Sequence, residues 1–146
     1  MFRKILLTLD GSELSGKAIQ HALGYAKAAR ADIVAMSIAS EPFDTIETAK
    51  SRQSDVALAE KNAAGTALTT ETVAEAARRM GVHCDAVNTV FSSSVDAIAD
   101  VYKRYCCDVI YMSSRPGHGR HTKDGRSHDL AYEILEKSAM PVLVFR

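Results

Sequence analysis

Short apolar runs that alternate with stretches of helical spacing leave this chain few folds to choose from. Lys4–Asp10 (KILLTLD) is almost continuously apolar, as expected of a strand buried on both faces. Ala31–Ile38 (ADIVAMSI), His83–Phe91 (HCDAVNTVF), Asp108–Met112 (DVIYM) and Pro141–Arg146 (PVLVFR) repeat the pattern. After the first run Ser12 can cap a helix, and Leu14, Ala18, Ile19, Ala22, Ala26 and Ala29 give it an inner face. A polar stretch at 40–55 leads into a long helical region reaching about Met80, with Ala57, Leu58, Ala63, Leu68, Val73, Ala74 and Ala77 as its apolar positions. Gly65 weakens or breaks that helix and Gly81 is placed to stop it. Ser92, Ser93 and Ser94 cap the next helix, which carries Val95, Ile98, Ala99 and Tyr102, and Leu130–Lys137 makes the last. The order β-α-β-α-β-α-β-α-β implies right-handed crossovers. The expected fold is α/β, a doubly wound, Rossmann-like sheet of five parallel strands with helices on both faces. No internal repeat, low-complexity tract or linker interrupts the pattern, so residues 1–146 are expected to form one domain.

Composition removes several functions. With 47% hydrophobic and 25% charged residues the 146-residue chain is ordinary globular material, not a disordered one. Lys and Arg total 18, as do Asp and Glu. No overall positive field exists from which to gain by counterion release, and nucleic acid is not an expected partner. No apolar run approaches the roughly 20 residues of a membrane helix, and Met1-Phe2-Arg3-Lys4 leads into a strand, not a signal peptide. Three cysteines (Cys84, Cys106, Cys107) cannot all pair and form no CxxC, which favours a reducing, cytoplasmic setting. Cys106 and Cys107 end an apolar helix, so core packing is their default role. One of them must face away from the core, which leaves a redox-sensing thiol as the second reading.

In an open parallel sheet, ligands bind beyond the carboxyl ends of the strands at the switch point. Asp10-Gly11-Ser12, Ser37-Ile38-Ala39 and the loop opening at Met112-Ser113 occupy such ends. Asp10 reads equally as a ligand-facing carboxylate or as a simple helix cap. GxxxxGK[ST], GxGxxG, GxSxG, HExxH and EF-hand patterns are all missing from the sequence. Dedicated catalysis therefore has little support beyond slow nucleotide hydrolysis. His118, His121 and His128 match no strong metal-site spacing and read better as partners of phosphate.

Three ordered segments resemble the universal stress protein family. ILLTLDGSELSGKAI is similar to its opening strand and turn, SVDAIADVYKRYCCDVIYMSSR to its helix-strand stretch, and EILEKSAMPVLVFR to its closing helix and strand. The match runs from residue 4 to residue 146. The resemblance implies ATP or another adenine nucleotide, with magnesium, as ligand. It puts Thr8, Leu9 and Asp10 against ribose and adenine, and the Ile38 backbone against the adenine edge. Met112, Ser113, Arg115, Gly117, Gly119 and Ser127 would line the phosphate side. It also implies a homodimer joined through the C-terminal strand, residues 141–146.

The chain departs from the family's phosphate loop, which is Gly-x-x-Gly, nine residues, then Gly-Ser or Gly-Thr. Ser113 replaces the first glycine, Pro116 or Gly117 holds the second place, and Ser127-His128 or His128-Asp129 replaces the final pair. A proline offers no amide, and an aspartate at a helix start repels an anion. Arg115, His118, Arg120, His121, Lys123 and Arg126 surround Gly117 and Gly119, so side chains instead of a backbone cradle would hold phosphate. Three alternatives stand beside this. One is a solvated surface loop, another a nucleotide-free stress protein acting through protein contacts. The third, an enzyme with a flavodoxin-like or adenine-hydrolase-like use of the sheet, has only fold analogy behind it.

Overall fold

The computed structural model of the chain describes residues 1–9, 14–40, 70–91, 93–113, 120–121, 127–128 and 130–145. In chain order these form β1 (Lys4–Leu9), α1 (Leu14–Ala29), β2 (Asp32–Ser40), α2 (residues 70–80), β3 (Cys84–Phe91) and α3 (Ser94–Arg104). Then follow β4 (Val109–Ser113), β5 (Arg120–His121), β6 (Ser127–His128), α4 (Leu130–Lys137) and β7 (Val142–Phe145). Five strands make one sheet in the order β3-β2-β1-β4-β7, and every pairing in it is parallel. The expected cap at Ser12 and the expected helical positions Ala57 to Leu68, Gly65 among them, lie outside the described residues.

Alternation along β1 divides the core in two. Ile5, Leu7 and Leu9 pack with Ala18, Ile19, Ala22, Leu23 and Ala26 of α1 and with Val73 and Ala77 of α2. Leu6 packs instead with Val34 and Met36 of β2, Ile110 and Met112 of β4, Ile98 and Val101 of α3, and Ile134 of α4. One helix pair therefore covers each face. Strand order explains the division. The chain steps outward from β1 to β2 to β3, then returns across β1 to reach β4 and β7. A right-handed crossover must change face when its direction of travel reverses.

Three helices end in the same way. Ala31 N–H donates to the Ala26 carbonyl at 2.9 Å, Val82 N–H to Ala77 at 2.9 Å, and Cys107 N–H to Tyr102 at 2.9 Å. The residue before each donor closes a shorter bond, Arg30 to Lys27, Gly81 to Arg78 and Cys106 to Lys103. This is the Schellman pattern, whose turning residue must be left-handed. Arg30, Gly81 and Cys106 have φ of 53°, 72° and 53°. Only the glycine adopts that conformation without a Cβ penalty. Gly81 is thus the helix stop its position suggested, while Arg30 and Cys106 fill the same role without that signal.

The adjacent thiols separate as the sequence required: Cys106 is exposed and Cys107 is buried, and neither is in a disulfide. Burial pushes the Cys107 thiol up to about 11, so it stays protonated and unreactive near neutral pH. Next to it, Asp108 Oδ2 accepts hydrogen bonds from the backbone N–H of Arg3 at 2.6 Å and of Lys4 at 2.9 Å. Those two bonds fasten the start of β1 to the start of β4.

Two boundaries depart from expectation. β2 continues to Ser40 because its ladder with β3 extends to the Ser40–Phe91 rung, so backbone pairing carries the strand past its apolar run. The stretch 113–127, expected as loop, contributes β5 to a two-stranded antiparallel ribbon, with Arg120 opposite His128 and His121 opposite Ser127. Runs of two residues have no periodicity to read.

Candidate functional site

β1 occupies the centre of the sheet, and the chain leaves it towards β2 on one side and towards β4 on the other. The switch point therefore lies between β1 and β4, at their carboxyl ends. The ladders around it end unequally. β1 pairs with β2 as far as Leu9–Ser37, and β4 with β7 as far as Ser113–Phe145. Between β1 and β4 the last rung is Leu7–Tyr111. Thr8 and Leu9 on one strand, and Met112 and Ser113 on the other, thus stand beyond the final rung joining them. In a doubly wound sheet the carboxyl ends of two strands on either side of the switch point are where a ligand crevice is expected.

Four of the residues singled out from the sequence stand at these strand ends. Leu9 is buried on the α1 and α2 face. Thr8 alternates with Leu6, which puts it on the α3 and α4 face, and it is only 9% exposed. Met112 is buried on that same face, and Ser113 is half-buried at the end of β4. A polar residue so enclosed needs a hydrogen-bonding role, which strand ends facing a ligand supply. Tyr111 is buried below them, and burial pushes its phenol up, so it contributes no charge. Ile38 lies on β2 opposite Thr89 of β3, next in sequence to the buried Ser37. Ser127 lies on β6 opposite His121. Asp10, Arg115, Gly117 and Gly119 are outside the described residues.

Two polar residues near this rim were given no individual role from the sequence, Ser37 being named only within the strand end Ser37-Ile38-Ala39 and Thr89 not at all. Ser37 is 1% exposed and stands opposite Leu9 in the ladder. Thr89 Oγ1 is buried and has no hydrogen-bond partner among the described residues. Each sits inside an apolar run, AMSIA and VNTVF, where a lone hydroxyl residue is the one available signal. On the same rim α3 begins, because it carries the chain from the end of β3 back to the start of β4. Its cap is Ser93, whose side chain accepts from Asp96 N–H at 3.4 Å. The serine triplet had pointed to that cap. Among the described residues no group of histidines, cysteines and acids could hold a metal ion, and no helix is long and apolar enough to cross a membrane.

The family model for universal stress proteins matches residues 1–146. The chain belongs to the universal stress protein family. Solved structures of other universal stress proteins share its fold. UspA from Lactobacillus plantarum superposes with a TM-score of 0.75 at 16% identity, over 99% of this chain and 97% of that one. The Archaeoglobus fulgidus protein in complex with dAMP gives 0.60 at 16% identity, over 99% and 98%. An Arabidopsis thaliana family member with AMP bound gives 0.65 at 13% identity, over 98% and 90%. Identities this low establish the shared fold alone. Among curated protein sequences none matches significantly.

Proposed function

We propose that this universal stress protein is a single-domain, cytoplasmic regulatory module that binds an adenine nucleotide, with magnesium, in the crevice between β1 and β4. The observation that carries this reading is the early end of the β1–β4 ladder at Leu7–Tyr111. That end lies at the switch point, with Thr8 of β1 and Met112 of β4 on the same face of the sheet. Relatives of the same fold hold dAMP and AMP. In this reading Thr8, Leu9 and Asp10 meet ribose and adenine, the Ile38 backbone meets the adenine edge, and Met112, Ser113, Arg115, Gly117, Gly119 and Ser127 line the phosphate side. The sequence carries none of the motifs of dedicated catalysis, so the proposed role is binding, with slow nucleotide hydrolysis at most.

Calorimetric titration with Mg-ATP, beside an Asp10→Ala variant, tests it. The wild-type protein should bind in the micromolar range and the variant about tenfold more weakly, the loss expected for one charged hydrogen bond. An absence of heat from folded, nucleotide-free protein would reject nucleotide binding and favour action through protein contacts.

The same module is proposed to form a homodimer through β7. That strand is a sheet edge, has four uncharged residues, and leaves Val144 40% exposed. An uncharged open edge is a template for a second strand. Sedimentation should show a dimer for the wild type and a monomer for Val144→Glu. A wild-type monomer at every concentration would refute the assembly.

A further inference from the structure

All strands of the main sheet run the same way, and each helix carries the chain from the end of one strand back to the start of the next. Strand starts and helix ends therefore meet at one rim, the opposite one from the proposed nucleotide site. Residues 1–4, 26–32, 77–85, 101–108 and 134–142 build it. Among these described residues stand nine of the chain's 18 Lys and Arg but four of its 18 Asp and Glu. A chain with no net charge thus has a cationic end.

Helix C-termini attract cations through their partial negative charge, and Lys27, Lys103 and Arg104 fit that local role. It does not extend to Arg3 and Lys4, which stand at the start of β1. Arg79 reaches Glu75 and Arg104 reaches Asp100 on their own helices. Lys27, Arg30, Arg78 and Lys103 are exposed and have no acidic partner among the described residues. Two of the rim's acids are engaged within the fold, Asp108 with backbone N–H groups of Arg3 and Lys4 and Asp85 with His83. Arg30 also holds a left-handed φ of 53°, which only glycine adopts without cost. Strain of that kind collects where a side chain serves a function outside the fold.

We propose that this rim docks an acidic segment of a partner protein, whose carboxylates are received by Arg3, Arg30, Arg78 and the lysines beside them. A guanidinium meets a carboxylate with two N–H groups in a fixed fork. From β3 to β7 the sheet spans about 19 Å at roughly 4.8 Å per strand, which about six extended residues cover. Met1 is 99% exposed on the same rim, and Phe2, Met80 and Tyr105 are half-buried there. Aromatic, Met and Arg side chains are those enriched in protein interfaces. A nucleic acid backbone makes no use of such apolar groups, and a chain of zero net charge gives it no long-range field. The docking uses no residue of the nucleotide site and stands independently of it.

Fluorescence anisotropy of a fluorescein-labelled hexaglutamate peptide, titrated with the full chain at low ionic strength, tests the surface. Arg3→Gln, Arg30→Gln and Arg78→Gln should each weaken binding about threefold, the magnitude of one exposed ion pair. The triple variant should weaken it about tenfold or more. Lys17→Gln, near the start of α1 and so at the other rim, should change nothing. Arg30→Gly removes the charge together with the left-handed strain, so its urea midpoint should hold or rise while peptide affinity falls. Cys106→Gly relieves the corresponding turn after α3 and keeps every charge, so its peptide affinity should match the wild type. Circular dichroism of each variant establishes that it is folded. No binding by the wild type, or undiminished binding by the triple variant, would overturn the proposal. Tighter binding of a single-stranded oligothymidylate of equal charge, lost in the triple variant, would overturn it in favour of nucleic acid. Sedimentation showing wild-type self-association that the triple variant lacks would overturn it in favour of a second copy of this chain.

Discussion

Leu6→Ala should destabilise the protein by about 3 kcal/mol, a typical cost for removing three methyl-sized groups from a closed core. Leu6 is 0% exposed on the central strand, between Val34 of β2 and Ile110 of β4 in the ladders. Ile98 and Val101 of α3 and Ile134 of α4 belong to the same cluster. Four surrounding elements fix those neighbours, so little collapse into the space is open to them. The cost then includes both lost transfer energy and an unfilled cavity. Domains of this size have total stabilities of about 5–15 kcal/mol, so the urea midpoint should fall far while the slope stays constant. A loss under about 1 kcal/mol would mean that α3 and α4 do not close over β1 as described.

Asp108→Ala should cost about 2 kcal/mol at neutral pH, less than the roughly 3–6 kcal/mol of two buried charge-assisted bonds because Arg3 is solvent-exposed. The effect should also depend on pH. The backbone N–H groups of Arg3 and Lys4 hold the Asp108 carboxyl below its usual range. A carboxyl lowered in the folded state binds its proton more readily when unfolded. Its stabilisation is therefore complete above the unfolded value of about 3.9 and disappears as pH falls through the lower folded value. Urea midpoints of the two proteins should differ fully at pH 7 and converge below about pH 4. A difference that stays constant down to pH 3 would show that the carboxylate's charge is not what fastens β1 to β4.

Much of the fold was legible because burial on both faces leaves a simple mark. Ile5, Leu6 and Leu7 are all buried, so the run had no alternation to confuse a strand with anything else. Gly81 and Ser93 were readable as helix ends because their conformations favour those residue types. Arg30 was not, since arginine carries no signal for a left-handed turn. Strand order was beyond reading as well. It depends on which crossovers reverse, and no single residue records that; the edge position of β7 could be stated only as a condition. The site was partly legible. Met112 and Ser113 were named for their place at a strand end and Thr8 and Leu9 through the family resemblance, and all four stand beyond the last β1–β4 rung. Ser37 was named at a strand end, but its enclosure was not legible because that depends on its neighbours across the ladders with β1 and β3. The Arg120–His128 pairing was hidden because cross-strand partners eight residues apart in a charged loop leave no pattern in one dimension.

The repeated left-handed turns after α1, α2 and α3 have a consequence for how this chain can change in length. Residues 30–31, 81–83 and 105–108 are all that join those helices to the next strands. One more residue in any of them would displace the next strand in its ladder by a step and exchange its two faces. At the opposite rim, the connections spanning residues 41–69 and 114–129 lead from a strand of the five-stranded sheet to a helix, so their length does not itself set a register in that sheet. Insertions and deletions can therefore accumulate at the rim that holds the crevice, while the other rim keeps a constant count. New binding properties can be added to such a chain by extending it, without disturbing the sheet that supports them.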